Sequence, residues 1–226
     1  MKKIFLSLLA LWAFIPAFSH SEDWAQFGRY EKENKEYSAT HGSSPEAVFM
    51  GSSIIECWTD LHPDFYHSNN YLGRGISGHT TYQMLLRFRD DVINFHPQFT
   101  LIYGGSNDIA QNNHVFSEDR TLGNLISMAE LARANGIQVY LCSVLPASNF
   151  YWRPEIGDVP AKIINLNKKI RAYAEANDIP YLDFYSVLVD ENGAMKKDYT
   201  KDGVHPNSLG YEKMEEVFLR AKAERN

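Results

Sequence analysis

Ile137-Gln138-Val139-Tyr140-Leu141-Cys142-Ser143-Val144 is the stretch on which the fold turns. β-branched and aromatic residues dominate this short apolar run, so it reads as a strand inside a sheet. A helical period follows it. Within residues 159–177, Ile163, Leu166, Ile170 and Tyr173-Ala174 mark one apolar face, and Pro160 fits the first turn. Working outward, Ala47-Val48-Phe49-Met50, Tyr71-Leu72, Thr100-Leu101-Ile102-Tyr103 and Pro180-Tyr181-Leu182-Asp183 also read as strands. A closing helix over residues 207–224 carries Leu209, Met214, Val217, Phe218 and Ala221. Residues 22–44 form a polar, partly aromatic lead-in, expected as a helix packed on the outside. Five strands alternating with helices imply an α/β fold whose parallel sheet is covered on both faces. Ligands of such sheets bind at the carboxyl ends of the strands, so every chemically suggestive motif should follow a strand.

Residues 1–19 read as a signal peptide rather than part of the fold. Met1-Lys2-Lys3 is a basic start, residues 4–14 are apolar, and Ala17-Phe18-Ser19 offers small residues for cleavage. The apolar run is too short to span a bilayer, so no stable membrane insertion is expected. No cysteine lies near the cleavage point, which argues against a lipid anchor. The expectation is an exported protein, periplasmic or extracellular, with residues 20–226 as a single domain. Losing this leader, which holds two lysines and no acid, takes the formal net charge from −6 to −8. An acidic chain with scattered lysines lacks the basic stripe that phosphates require, so nucleic acid is not an expected partner. Cys57 and Cys142 sit inside apolar patterned segments and read as free thiols rather than a disulfide.

Asp202-Gly203-Val204-His205 near the C-terminus can place a carboxylate beside its own imidazole on a turn punctuated by Gly203 and Pro206. Such a pair fixes one ring tautomer and leaves the other nitrogen free to take a proton. The bland alternative is a surface turn. A base of this kind implies a nucleophile, and Met50-Gly51-Ser52-Ser53-Ile54 supplies one in Ser53, between a strand and the next helix, where a helix cap is the competing reading. Gly73-Arg74-Gly75-Ile76-Ser77-Gly78 matches the dinucleotide pattern G-x-G-x-x-G but follows the second strand. The strand after it ends without the ribose-binding acid, so a nucleotide cofactor is not expected. The glycines serve better to bring the Gly78 N–H close to a substrate oxyanion. Gly104-Gly105-Ser106-Asn107-Asp108 ends the third strand, and Asn107 can offer its side-chain amide as a second donor, with a plain β-turn as the alternative. Asp108 reads as a brace for that loop.

The other histidines show no metal-ligand spacing, so no metal is expected; most read as surface or loop residues. His79 and His114 fall on the active rim, where they could touch substrate. Phe150, Tyr151, Trp152 and Arg153 lie in a long connection over residues 146–160. These rings either stack on sugars or line an acyl pocket, or pack onto the domain; Trp58 carries the same ambiguity.

Together, Gly51-Ser52-Ser53-Ile54, Gly78, Gly105-Ser106-Asn107-Asp108 and Asp202-Gly203-Val204-His205 resemble, in order, the four blocks of the SGNH (GDSL) hydrolase family. The resemblance implies a flavodoxin-like three-layer sandwich around a five-stranded parallel sheet, ester hydrolysis and no cofactor. It implies Ser53 as nucleophile, Gly78 and Asn107 as oxyanion donors with the Ser53 N–H, and Asp202 and His205 as orienting acid and base. One residue departs: Ser52 stands where the family usually has Asp, or often Asn in related secreted proteins, and a supporting hydrogen bond near the nucleophile goes with it. The expected activity is that of an exported serine esterase on a small-molecule or polysaccharide ester, removing acetyl or other short acyl groups from carbohydrate. A lipase or lysophospholipase on the same triad and a non-catalytic glycan-binding protein on the same fold are the alternatives.

Overall fold

The computed structural model describes residues 23–40 and 44–225; the leader expected at residues 1–19 lies outside the described residues. The described chain runs α1 (Gly28–Thr40), β1 (Ala47–Gly51), α2 (Ser53–Leu61), α3 (Pro63–His67), β2 (Tyr71–Gly75), α4 (Thr81–Asp91) and β3 (Phe99–Ile102). It continues with α5 (Ser106–Ile109), α6 (Glu118–Ala134), β4 (Gln138–Cys142), α7 (Val159–Ala176), β5 (Tyr181–Leu182), α8 (Phe184–Leu188) and α9 (Ser208–Ala223). The five strands pair in parallel in the order β2-β1-β3-β4-β5, which is the flavodoxin-like doubly wound order.

Alternation along the strands sorts the core into two layers, because successive side chains of a strand point to opposite faces. Val48, Met50, Ile102, Val139 and Leu141 face one way and meet Met84 and Phe88 of α4, Leu125 and Met128 of α6, and Ile163 and Leu166 of α7. Ala47, Phe49, Leu101 and Tyr140 face the other way and meet Trp58 of α2, Phe184 of α8, and Tyr211, Met214 and Phe218 of α9. Phe49 is the hub of that second layer: its ring touches Trp58, Tyr66, Tyr71 and Phe218 at centroid distances of 5.1–5.6 Å. Trp58 is wholly buried and stacked between Phe65 and Tyr211, so it belongs to the core and not to a substrate rim.

Two details depart from the sequence reading. The run from Ile137 to Val144 yields only Gln138–Cys142 as strand. Val144 leaves the ladder because its N–H donates to Asn167 Oδ1 at 2.7 Å, and Asn167 Nδ2 in turn donates to the Val144 carbonyl. The lead-in is helical only over Gly28–Thr40, with Tyr30 alone buried in it; the Tyr30 hydroxyl reaches the Gly75 carbonyl at the end of β2. Both cysteines are free, Cys142 buried and Cys57 half-buried.

The glycine that ends β2 answers to packing. A β-carbon on Gly75 would sit 2.2 Å from the Glu56 nitrogen and 2.6 Å from the Ser52 carbonyl oxygen. Only glycine lets β2 lie this close to the start of α2. That contact sets the Ser52–Ser53 turn against the loop that carries Gly78.

Candidate active site

The strand ends at β1, β2 and β3 and the loop before α9 meet at one rim. β1 stops at Gly51, Ser52 turns with φ −110° and ψ −148°, and Ser53 is the first residue of α2. The first N–H groups of a helix have no partner within it, and among the described residues none of the bonds involves the Ser53 N–H. The Ser53 hydroxyl lies 3.0 Å from Nε2 of His205. The other ring nitrogen, Nδ1, lies 2.7 Å from Oδ2 of Asp202. With Nδ1–H donating to the carboxylate, Nε2 is left as the acceptor facing Ser53.

Asp202 is itself held in place. Its Oδ1 accepts the backbone N–H of Val204 at 2.9 Å and of His205 at 2.8 Å. Partial burial works to raise its pKa, but the hydrogen bonds from the His205 backbone and ring and from Val204 win, and the carboxyl sits below its usual value. The Thr200 hydroxyl closes the loop by donating to the His205 carbonyl at 2.7 Å.

Gly78 has φ +80°, in the left-handed region, and its N–H makes no bond among the described residues. Asn107 sits in the first turn of α5, a short helix where a plain β-turn was the alternative. One of its amide hydrogens goes to the His79 carbonyl at 2.9 Å; the second is available. Asp108, wholly buried, accepts the N–H and hydroxyl of Thr81 at 3.0 and 2.6 Å and so pins α5 to α4, a bracing role. Burial pushes its pKa up, against the pull of the Thr81 bonds.

Two residues that could touch substrate by their place in the sequence are held away from the rim by their packing. His79 is buried beneath the rim at 2% exposure, and its Nδ1 accepts from Arg87 Nε at 3.2 Å. Burial first, then the Arg87 charge, drives its pKa down to about 3. His114 packs against Tyr82, with its Nε2 enclosed and 3.7 Å from Oδ1 of Asp108.

Three supports were not visible in the sequence. Arg87, fully buried, donates to the carbonyls of Gly51 and Arg74 at 2.9 and 2.8 Å and pairs with Asp91 at 2.6 Å, tying together the ends of β1 and β2. Glu56, one turn after Ser53, accepts the Ser77 N–H at 2.8 Å and hydroxyl at 2.5 Å, and so holds the loop into Gly78. Ser52 makes no side-chain capping bond; the support near Ser53 comes from Glu56 instead. Asn112 is the third. Its Nδ2 donates to the Gly78 carbonyl at 3.1 Å and to Asn107 Oδ1 at 3.0 Å. The only sequence signal for Glu56 is its helical spacing from Ser53; for Arg87 and Asn112 there is none.

A second hydroxyl–imidazole–carboxylate line exists. His62 lies 2.7 Å from both Ser208 Oγ and Glu215 Oε1, and Glu215 also accepts Trp58 Nε1–H at 3.0 Å. It fastens α2 to α9. It lacks what surrounds Ser53, since no positive-φ glycine or amide side chain faces Ser208 in any bond of the described residues. A cleft of about 440 Å³ beside His205, flanked by Leu61, Pro206 and Leu209, opens next to it. A cavity of about 810 Å³ between α1 and the end of α4 touches none of the four motif blocks.

Residues 38–213 match the family described as GDSL-like Lipase/Acylhydrolase. A GDSL-like lipase of known structure from Bacteroides thetaiotaomicron is 50% identical, with a TM-score of 0.86 over 89% of this chain and 99% of that one. An acylhydrolase candidate from Bacteroides fragilis is 48% identical, with a TM-score of 0.86 over 90% of this chain and 99% of its own. A multidomain esterase of Ruminococcus flavefaciens is 31% identical over 58% of this chain, which spans 16% of that esterase's length.

Proposed function

The chain belongs to the GDSL-like lipase/acylhydrolase family, and from that premise we propose that it is an exported serine esterase that removes acetyl or other short acyl groups from carbohydrate. The observation that carries the reading is the line from Ser53 Oγ through His205 to Asp202, at 3.0 and 2.7 Å. His205 Nε2 takes the hydroxyl proton as Ser53 Oγ attacks the ester carbonyl. Asp202 orients the ring and stabilises the imidazolium that forms. The N–H groups of Ser53 and Gly78 and the Asn107 amide receive the developing oxyanion. A donor of this kind typically contributes about 2.7–4 kcal/mol to transition-state stabilisation. The imidazolium then protonates the leaving alcohol, the acyl group stays on Ser53, and water repeats the cycle to release acid and free enzyme.

Export rests on the basic start, apolar run and small residues of positions 1–19. The carbohydrate assignment rests on the exposed Tyr151 and half-buried Trp152 on the rim beside His205, rings suited to stacking on a sugar. A second reading has one observation in its favour. The cleft flanked by Leu61, Pro206 and Leu209 is apolar enough to take a longer acyl chain.

Purified wild-type protein, Ser53→Ala and His205→Ala are compared on p-nitrophenyl esters from acetate to decanoate and on acetylated xylan. Each variant is expected to lose at least about 10³ in kcat while remaining folded, and a fluorophosphonate is expected to label wild type but not Ser53→Ala. Turnover by Ser53→Ala close to wild type overturns the assignment. A rise in kcat/KM toward decanoate favours the long-chain reading over the short-acyl one.

A further inference from the structure

The segment just after α5 is bent and clamped in a way that its own packing does not explain. Gln111 takes φ +54°, in the left-handed region that a β-carbon disfavours. Its carbonyl accepts Arg153 Nη1 at 2.6 Å. The next residue, Asn112, is fixed through its backbone N–H to the Asn107 carbonyl at 3.1 Å and through its Oδ1, which accepts Trp152 Nε1–H at 2.9 Å. Two consecutive residues of the aromatic connection therefore grip two consecutive residues of this bend.

The bend aims one amide at both oxyanion donors. Asn112 Nδ2 donates to the Gly78 carbonyl and to Asn107 Oδ1, at 3.1 and 3.0 Å. Asn107 Oδ1 being an acceptor there fixes which end of the Asn107 side chain is Nδ2, and hence that an N–H of Asn107 faces the site. Holding the Gly78 carbonyl fixes the left-handed turn that presents the Gly78 N–H. Donors of this kind act only when preorganised toward the position of the oxyanion. On the other side, the Trp152 ring stands next to His205, with centroids 6.4 Å apart and planes 28° from parallel.

We propose that Asn112 is the positioning residue of the oxyanion hole, and that Trp152 acts on the same hole through its indole N–H bond to Asn112. The inference rests on the esterase reading above. It gives the aromatic connection of residues 146–160 a role in turnover as well as in contact with the alcohol side of an ester.

Asp and Phe substitutions separate the two halves of the link. Asn112→Asp keeps the shape and the acceptor for Trp152 but removes both hydrogens donated to Gly78 and Asn107. Trp152→Phe keeps an aromatic ring but removes the donor to Asn112. With p-nitrophenyl acetate, too small to depend on a sugar platform, Asn112→Asp is expected to lower kcat at least tenfold with KM within about twofold. Trp152→Phe is expected to lower kcat several-fold, and the double variant to be no slower than Asn112→Asp alone. Thermal unfolding of each variant accompanies the kinetics. A variant that loses stability but keeps wild-type kcat, or a double variant whose losses multiply, overturns the proposal. Failure of the underlying reading looks different: the wild type itself then turns over no ester faster than Ser53→Ala.

Discussion

His79 should make the protein sensitive to mild acid, and the size of the effect follows from its surroundings. The ring is buried, and Arg87 lies against its Nδ1, so the folded protein holds the imidazole neutral until about pH 3. In the unfolded chain the same ring protonates near its ordinary value of about 6.5. Between those values the unfolded chain binds one more proton than the folded one, so stability falls as the pH falls. At about 1.36 kcal/mol for each tenfold change in proton concentration, going from pH 7 to pH 5 removes about 2 kcal/mol through this group alone. Asn at position 79 places an oxygen where Nδ1 accepts from Arg87, and it does not titrate. Urea unfolding of wild type and His79→Asn at the two pH values isolates the contribution, because Asp108, Asp202 and the exposed carboxylates are common to both. With an m-value of about 2 kcal/mol per molar urea for a domain of this size, the wild-type midpoint should drop by about 1 M more than that of the variant. Equal drops in the two proteins would refute the account, since a ring that protonates freely in the folded state confers no such dependence.

Gly78→Ala forces a β-carbon into φ +80°, although the space is open, with only Asn112 Nδ2 nearby at 3.9 Å. The backbone strain of about 1–2 kcal/mol should leave a folded protein whose kcat on p-nitrophenyl acetate falls at least tenfold; wild-type turnover would contradict the donor role. Arg87→Met strands Asp91 and two buried carbonyls, and should cost about 3–5 kcal/mol in urea unfolding, as removal of one partner of a buried ion pair does. A loss below about 1 kcal/mol would mean the cluster rearranges without it. Ser208→Ala should keep full esterase activity and fluorophosphonate labelling; loss of either would move the chemistry to the second hydroxyl–imidazole line.

Where the sequence could be read, the reason is a regular period. Val48, Phe49, Leu101 and Leu141 lie on strands buried on both faces, and such strands appear as apolar runs that no loop imitates. The four blocks of the site were legible for a related cause: each follows a strand or precedes a helix, and the α/β topology carries such turns to one rim. The reading fell short where a partner is distant in sequence. Arg87 looks like a solvated residue of an amphipathic helix, yet its guanidinium closes on carbonyls 13 and 36 residues upstream. His79 sits next to a rim glycine, a place from which it could touch substrate; the same guanidinium claims its ring from below. Trp58 follows Ser53 by five residues, but helical spacing turns it toward Phe65 and Tyr211 instead of the rim. Residue order reveals a period; it does not reveal which of several polar side chains a buried charge will select.

The buried charged groups among the described residues gather in one place, apart from isolated polar residues such as Thr100, Ser143 and Asn167. Arg87, Asp91, His79, Thr81, Asp108 and Thr121 crowd beneath the ends of β1, β2 and β3, on the side of the sheet covered by α4 and α6. The opposite face, around Phe49 and Phe218, is packed with rings. Burying polar atoms is unfavourable unless every one is matched, and an apolar filling would serve stability as well. A charged network placed under the rim is best understood as rigidity supplied where geometry matters. It holds Gly51 and Arg74, from which the Ser53 turn and the Gly78 loop depart, and Thr81, to which Asp108 pins α5. The two layers should then answer differently to damage. Truncating Phe218 opens a cavity and lowers stability by about 3–5 kcal/mol but leaves the kcat of the folded fraction intact. An equal loss of stability introduced at Arg87 should lower kcat as well, because the atoms it releases are those that aim the donors.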